Sequence, residues 1–155
     1  LLPAGPLREN FSSIRRADCI VIIGTKDKNI EKKILKEKKL DIFYSNYVAR
    51  NIEIFKNKKI VAFAGIGNPN NFFNLLYDNN LNVLDKISFP DHYKYRLKDL
   101  DLLKKKADER GAILLTTEKD HLRLEEKLKK NIEFLEVELK LQDEENFMKL
   151  IKLNL

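Results

Sequence analysis

Lys59-Ile-Val-Ala-Phe-Ala-Gly-Ile-Gly-Asn-Pro69 decides how this chain folds. Ile60 to Ala64 is continuously apolar, the pattern of a strand buried on both faces. Gly65 to Asn68 then turns the chain. Asn68 followed by Pro69 makes a good N-cap and first helical residue. The helix begun there would bury Phe72, Phe73, Leu75 and Leu76 and stop near Asp78-Asn-Asn80. A buried strand that turns into a helix is the repeating unit of a parallel α/β sheet.

The same alternation continues toward the C-terminus. Leu81–Ser88 reads as a strand, Phe89–Tyr95 as a loop, and Leu97–Arg110 as a helix closed by Gly111. Ala112–Thr116 is a second buried strand and Thr117–Lys130 a helix. Ile132–Val137 follows as a strand and Asp143–Leu153 as a helix. Toward the N-terminus, Ala49–Lys59 alternates through Ile52 and Ile54 as a half-exposed strand or hairpin would. Asp41–Tyr47 reads as a strand, Asn29–Lys39 as a helix, and the all-apolar Cys19–Ile23 as a buried strand. Ser12 or Ser13 would cap a short helical turn, and the Pro- and Gly-bearing Leu1–Asn10 is a loop. The fold class predicted is α/β, a mostly parallel sheet with helices on both faces. Ile60–Ala64 and Ala112–Thr116 are its expected central strands.

Composition narrows the function. The 155 residues are 43% hydrophobic and 35% charged, the balance of a globular domain rather than a disordered chain. No apolar run approaches the ~18 residues needed to span a membrane. The single Cys19 has no intrachain partner, which favours a reducing compartment. His92, His121 and that one cysteine make no metal-ligand cluster. The net charge of +6 comes from lysine runs such as Glu31–Lys39 and Leu102–Lys106. Acidic residues interrupt most of these runs and aromatics do not interleave, so a solvated helix face suits them better than a nucleic-acid surface.

Three motifs end three strands, where an open α/β sheet puts its ligand loops. Gly65-Ile-Gly-Asn68 allows close backbone approach to an anion at a helix N-terminus, or makes a tight turn and nothing more. It is neither a dinucleotide fingerprint nor a phosphate loop, since no Gly-Lys-Ser/Thr occurs in the chain. In Phe89-Pro-Asp-His-Tyr93, His92 beside Asp91 suits proton transfer, or serves as a loop histidine. In Thr116-Thr-Glu-Lys-Asp120, Lys119 would meet a phosphate. A capping box would account for Thr117 and Asp120 without a ligand. Arg8 and Glu9 follow the stiff Pro3-Ala-Gly-Pro6, where an arginine would clamp a phosphate or sit exposed. The chain opens on this loop without a methionine, so it is expected to be part of something larger.

In combination these strings are more specific than any one of them. Leu1–Glu9, Arg15-Arg-Ala-Asp18 ahead of a strand, Ala62–Pro69, Phe72-Phe73, Phe89–His92 and Thr116–Asp120 resemble, in order and spacing, the C-terminal half of the tetraacyldisaccharide 4'-kinase (lipid A 4'-kinase) family. The matching is weak over 27–58 and at the last residues. The resemblance implies a Rossmann-like α/β/α lobe of a P-loop-type kinase. That kinase would transfer the ATP γ-phosphate to the 4'-hydroxyl of tetraacyldisaccharide 1-phosphate, with Mg2+, at the cytoplasmic face of the inner membrane. ATP and Mg2+ would be held mainly by an N-terminal lobe carrying the phosphate loop, the metal-binding acids and the catalytic aspartate. This chain lacks that lobe, so it is expected to be soluble and inactive by itself. Residues 1–18 would be the connector and 19–155 the C-terminal lobe, with a linker hairpin around 41–59.

The resemblance also assigns site residues. His92 matches the histidine that partners the family's catalytic aspartate, with Asp91 beside it in the catalytic motif. Arg8 and Glu9 match positions near the nucleotide. Gly65, Gly67, Asn68, Glu118, Lys119 and Asp120 match motifs that line the cleft, without individual roles. The implied partners are the lipid A precursor, the other lobe and the membrane surface, with no nucleic acid. Two other readings of the residues stay open: a non-catalytic nucleotide- or anion-binding α/β module, and a basic nucleic-acid-binding domain.

Overall fold

The computed structural model describes residues 9–153. They form two compact units, each considered by itself. The first holds the described residues up to Tyr47 and those from Leu139 onward; the second is Val48–Glu138.

The first unit begins with a 3-10 turn, Phe11–Arg16, and strand β1, Cys19–Ile23. Helix α1, Lys28–Glu37, starts where the Asp27 carboxylate accepts the Asn29 and Ile30 N–H groups. That cap satisfies two of the helix's orphan donors. Strand β2, Asp41–Ala49, runs parallel to β1. Strands β3 to β6 belong to the second unit. The seventh strand, β7, Val137–Leu141, completes a sheet of order β1-β2-β7. The last helix of the chain, Glu144–Leu153, sets Phe147 edge-on against Phe43 of β2, ring centres 5.2 Å apart. β1 is less buried than its sequence predicts: Val21 and Ile23 are 38% and 52% exposed. β1 is an edge strand of this sheet, and the side carrying these alternate residues is open among the described residues.

The second unit carries the predicted parallel sheet. Strand β3, Lys59–Ala64, pairs in parallel with β4, Asn82–Ser88, on one side and β5, Ile113–Thr117, on the other. β6, Ile132–Leu135, extends the sheet beyond β5, for an order β4-β3-β5-β6. Both central-strand expectations hold. Every residue from Ile60 to Ala64 is fully buried. Alternation divides β3 between two cores. Ile60, Ala62 and Ala64 pack with Phe72, Phe73 and Leu76 of helix α2, Pro69–Asp78. Val61 and Phe63 pack with Leu100, Leu103 and Ala107 of helix α3, Leu97–Glu109. Gly111 at φ +57° closes α3 as expected, in the left-handed conformation that glycine adopts most cheaply.

Three further segments differ from their sequence reading. Ala49–Lys59 is neither exposed strand nor hairpin beyond the end of β2. It holds a 3-10 turn, Ile52–Phe55, which drives Phe55 fully into the α2-side core. Asn51 anchors that turn, its side chain donating to the Phe134 carbonyl and accepting the Glu136 N–H. The helix expected over Thr117–Lys130 is only α4, Glu118–Arg123, followed by a 3-10 turn at Glu126–Leu128. Leu124 and Leu128 have helical spacing, yet they are buried from separate segments, with Leu124 in extended backbone. The strand expected over Ile132–Val137 is divided. β6 stops at Leu135, and Val137 opens β7 in the other sheet.

Phe55 is the side chain that the alternation of Ile52 and Ile54 hides, so it tests this part of the fold. Phe55→Ala is expected to destabilise the second unit by about 3–5 kcal/mol, the usual cost of emptying a buried aromatic site. The measurement is the shift in urea midpoint at constant m-value. Ile54→Ala, at a residue 54% exposed, should move it far less.

Candidate functional site

The three motif loops leave the carboxyl ends of β3, β4 and β5, and the backbone of one residue joins them. The Gly65 N–H donates to the Asp120 carboxylate at 3.0 Å. The Gly65 carbonyl accepts the His92 N–H and Arg123 Nη1, both at 3.1 Å. Gly65 thus meets the turn after β3, the loop after β4 and the helix after β5.

Glycine is required at 65 by space rather than by backbone angle. A Cβ there would lie 2.7 Å from the Tyr95 hydroxyl and 3.3 Å from both Asp120 Oδ1 and the Pro90 carbonyl. A Cβ at Gly67 would meet only the exposed Asp91 carboxylate, at 3.3 Å.

Asp120 is fully buried. Its Oδ2 accepts the Gly65 N–H and, at 2.6 Å, the Thr117 hydroxyl. Thr117 Oγ1 in turn accepts the Asp120 N–H, capping α4. This is half of the predicted capping box: Thr117 caps, but the Asp120 carboxylate reaches across to Gly65 instead of back to the Thr117 N–H. Arg123 Nη1 lies 3.4 Å from Asp120 Oδ1 and supplies the compensating charge. The Tyr95 hydroxyl is buried in the same corner with no hydrogen-bond partner among the described residues. Burial, and then the neighbouring Asp120 charge, push its pKa far above the ordinary tyrosine value. Thr116 ties β5 to β3 by donating to the Phe63 carbonyl at 2.8 Å.

His92 has φ +57°. A left-handed backbone costs a residue with a side chain about 1–2 kcal/mol. Here the N–H is held by the Gly65 carbonyl and by Asp91 Oδ1 at 2.9 Å. The result projects the imidazole outward, its side chain 78% exposed, with Nε2 3.8 Å from Asp91 Oδ2. Phe63, Phe89, Tyr93 and Tyr95 stack beneath this loop, ring centres 4.8–6.3 Å apart. The loop's far end is clamped at α3, where Asp99 accepts from the Arg96 N–H, the Arg96 guanidinium and the Tyr93 hydroxyl. The Arg96 guanidinium hydrogen bond is the largest cause holding the Asp99 carboxyl down to about 2.

The comparisons match this architecture. The family model described as Tetraacyldisaccharide-1-P 4'-kinase covers residues 1–155. The chain belongs to the tetraacyldisaccharide 4'-kinase family. A tetraacyldisaccharide 4'-kinase of Pelagibacter ubique is 37% identical over 99% of this chain and 50% of its own length. One from Rickettsia rickettsii is 40% identical over 90% of this chain and 43% of its own. A crystal structure of the "apo" form of LpxK from Aquifex aeolicus, in complex with ATP, superposes with a TM-score of 0.64. It is 31% identical and covers 98% of this chain and 47% of that one. The chain therefore spans about half the length of the curated relatives it matches.

Among the residues expected from the family motifs, Gly65, Gly67, Asp91, His92 and Asp120 come together around the Gly65 peptide. Asn68 precedes α2 without a side-chain cap bond. Glu118 and Lys119 are exposed at the start of α4. Glu9 belongs to the first unit, where its carboxylate pairs with Arg16. Arg8 lies outside the described residues. His121, read as a surface or boundary residue, is half-buried against Phe134, and burial lowers its pKa. Tyr95 and Arg123 were missed by the sequence reading. An arginine three residues after a motif aspartate on a helix is the signal that would have pointed to the second.

Two outcomes are expected here. Gly65→Ala should cost about 1–3 kcal/mol through overpacking, against less than about 0.5 kcal/mol for Gly67→Ala, both read by urea denaturation. Asp99 has a depressed folded pKa, so its contribution is complete above about 4 and is lost as pH falls toward about 2. Urea midpoints of Asp99→Asn should therefore change less over that window than those of the wild type.

Proposed function

We propose that this chain forms part of a lipid kinase that transfers the ATP γ-phosphate to the 4'-hydroxyl of tetraacyldisaccharide 1-phosphate. The observation that carries this reading is His92, an exposed imidazole held in left-handed backbone beside Asp91, beyond the carboxyl ends of a parallel sheet. Its support from outside is membership of the family and the likeness to an LpxK structure in complex with ATP.

In this reading the chain acts on the hydroxyl side of the reaction. Phosphoryl transfer depends mainly on positioning and charge neutralisation, and a base orients the attacking hydroxyl. The His92 imidazole is the group that takes or relays that proton, together with an aspartate from the half of the protein outside this chain. Asp91 orients the ring. Lys119 and the uncapped N-terminus of α2 face anionic groups. Arg8 and Glu9 match family positions near the nucleotide. Among the described residues no group of three or more His, Cys, Asp or Glu is placed to hold a metal ion. These residues do not fit a magnesium site, and no step here runs through one. No helix among the described residues is long and apolar enough to cross a membrane. Contact with the inner membrane would be peripheral.

The test uses a full-length protein that contains this chain. His92→Ala should lower kcat by about 10²–10⁴-fold, the usual contribution of a general acid–base group. ATP affinity and Tm should stay near the wild-type values. His92→Asn, which tolerates left-handed backbone, should lose as much rate. An unchanged rate in either stable variant would overturn the assignment. A collapsed Tm in His92→Ala that His92→Asn restores together with the rate would make the histidine a purely structural loop residue.

A further inference from the structure

We propose that Asp120, seconded by Arg123, is a positioning residue for His92, acting through the Gly65 peptide. This rests on the reading of His92 given above and assigns a role that the family motif leaves open.

The connection is short and continuous. Asp120 Oδ2 holds the Gly65 N–H at 3.0 Å. On the other face of the same peptide chain, the Gly65 carbonyl holds the His92 N–H at 3.1 Å. Arg123 Nη1 joins the two ends, lying 3.1 Å from the Gly65 carbonyl and 3.4 Å from Asp120 Oδ1. Along Asp120 Oδ1, Arg123 Nη1, the Gly65 carbonyl and the His92 N–H, acceptors and donors alternate, so each bond polarises the next in a low-dielectric corner. His92 needs such a hold because its backbone is left-handed and its side chain is 78% exposed. A carboxylate that is wholly buried and still accepts a backbone N–H from a distant strand end is more than a helix cap needs. Thr117 already caps α4 by itself.

The alternative is that Asp120 stabilises the fold and has no bearing on His92. Two separate measurements distinguish them. In a full-length protein that contains this chain, Asp120→Asn should lower kcat by about 10²-fold, the size of effect that a misplacement near 1 Å produces, with KM for ATP unchanged. In the His92→Ala background the same substitution should lower kcat no further, because its effect passes through the imidazole. Hydrogen exchange of the peptide spanning 89–95 should quicken in Asp120→Asn relative to the rest of the sheet. If Asp120→Asn fails to fold, Arg123→Gln, at a half-buried residue, carries the same cycle with a smaller drop. A loss that is additive with His92→Ala, or an unchanged kcat in a folded variant, overturns the proposal while leaving His92 itself untouched. If His92→Ala alone keeps its rate, it is the functional reading that fails, and the proposal with it.

Discussion

The grip on the Gly65 peptide is the constraint from which the rest of the site follows. A residue just past the end of a central strand offers one N–H donor and one carbonyl acceptor, and buried backbone groups must be satisfied. In most α/β turns such groups face a helix N-terminus or water. Here the donor goes to a carboxylate and the acceptor to two N–H groups, from two other loops. The loops after β3, β4 and β5 therefore share one hinge point. The absence of a Cβ at Gly65 lets Tyr95 and Asp120 close over it.

Burying a carboxylate for this purpose is costly, and the surroundings show how the cost is met. Asp120 accepts two hydrogen bonds at Oδ2 and faces a guanidinium at Oδ1. Removing one partner of such a group typically costs about 3–5 kcal/mol, whereas the complete set is near neutral against an apolar replacement. An apolar residue at 120 alone falls in the costly case, because it strips the Gly65 N–H, the Thr117 hydroxyl and Arg123 of their common partner. It would leave the Gly65 N–H without a partner and the loop free to shift. The aromatic stack of Phe63, Phe89, Tyr93 and Tyr95 and the Asp99 clamp give the loop rigid support on its other side. Between these two supports the residues from Pro90 to His92 have little freedom.

The central sheet was legible because both of its faces are covered. A strand that must be apolar at every position leaves a run such as Ile60–Ala64, although Cys19–Ile23 has the same kind of run and is a partly exposed edge strand. The helices were legible where their apolar faces were complete, as in α2 and α3. Legibility failed where a buried residue came from an irregular turn. Phe55 enters the core from a 3-10 turn in a stretch whose isoleucines mimic strand alternation, and Leu124 and Leu128 mimic one helical face from two separate segments. At the site, the motifs identified which residues lie near one another but not why. The Thr-Thr-Glu-Lys-Asp string suggested a cap, and half of that is present. The other half of Asp120's role depends on a glycine 55 positions away, and no local pattern encodes that distance. The nucleotide assignment of Arg8 and Glu9 rested on resemblance, and Glu9 is engaged with Arg16.

His92 sits in a backbone conformation that asparagine or glycine would occupy at lower cost. Substitution by either of these therefore runs downhill in folding free energy toward a residue with no imidazole. A protein under selection only for stability would drift to one of them. In the role proposed for His92, the imidazole is kept against that gradient, the trade of stability for activity that strained functional positions display. Directed evolution for thermostability alone would be expected to find position 92 early, and to remove the imidazole as it did so.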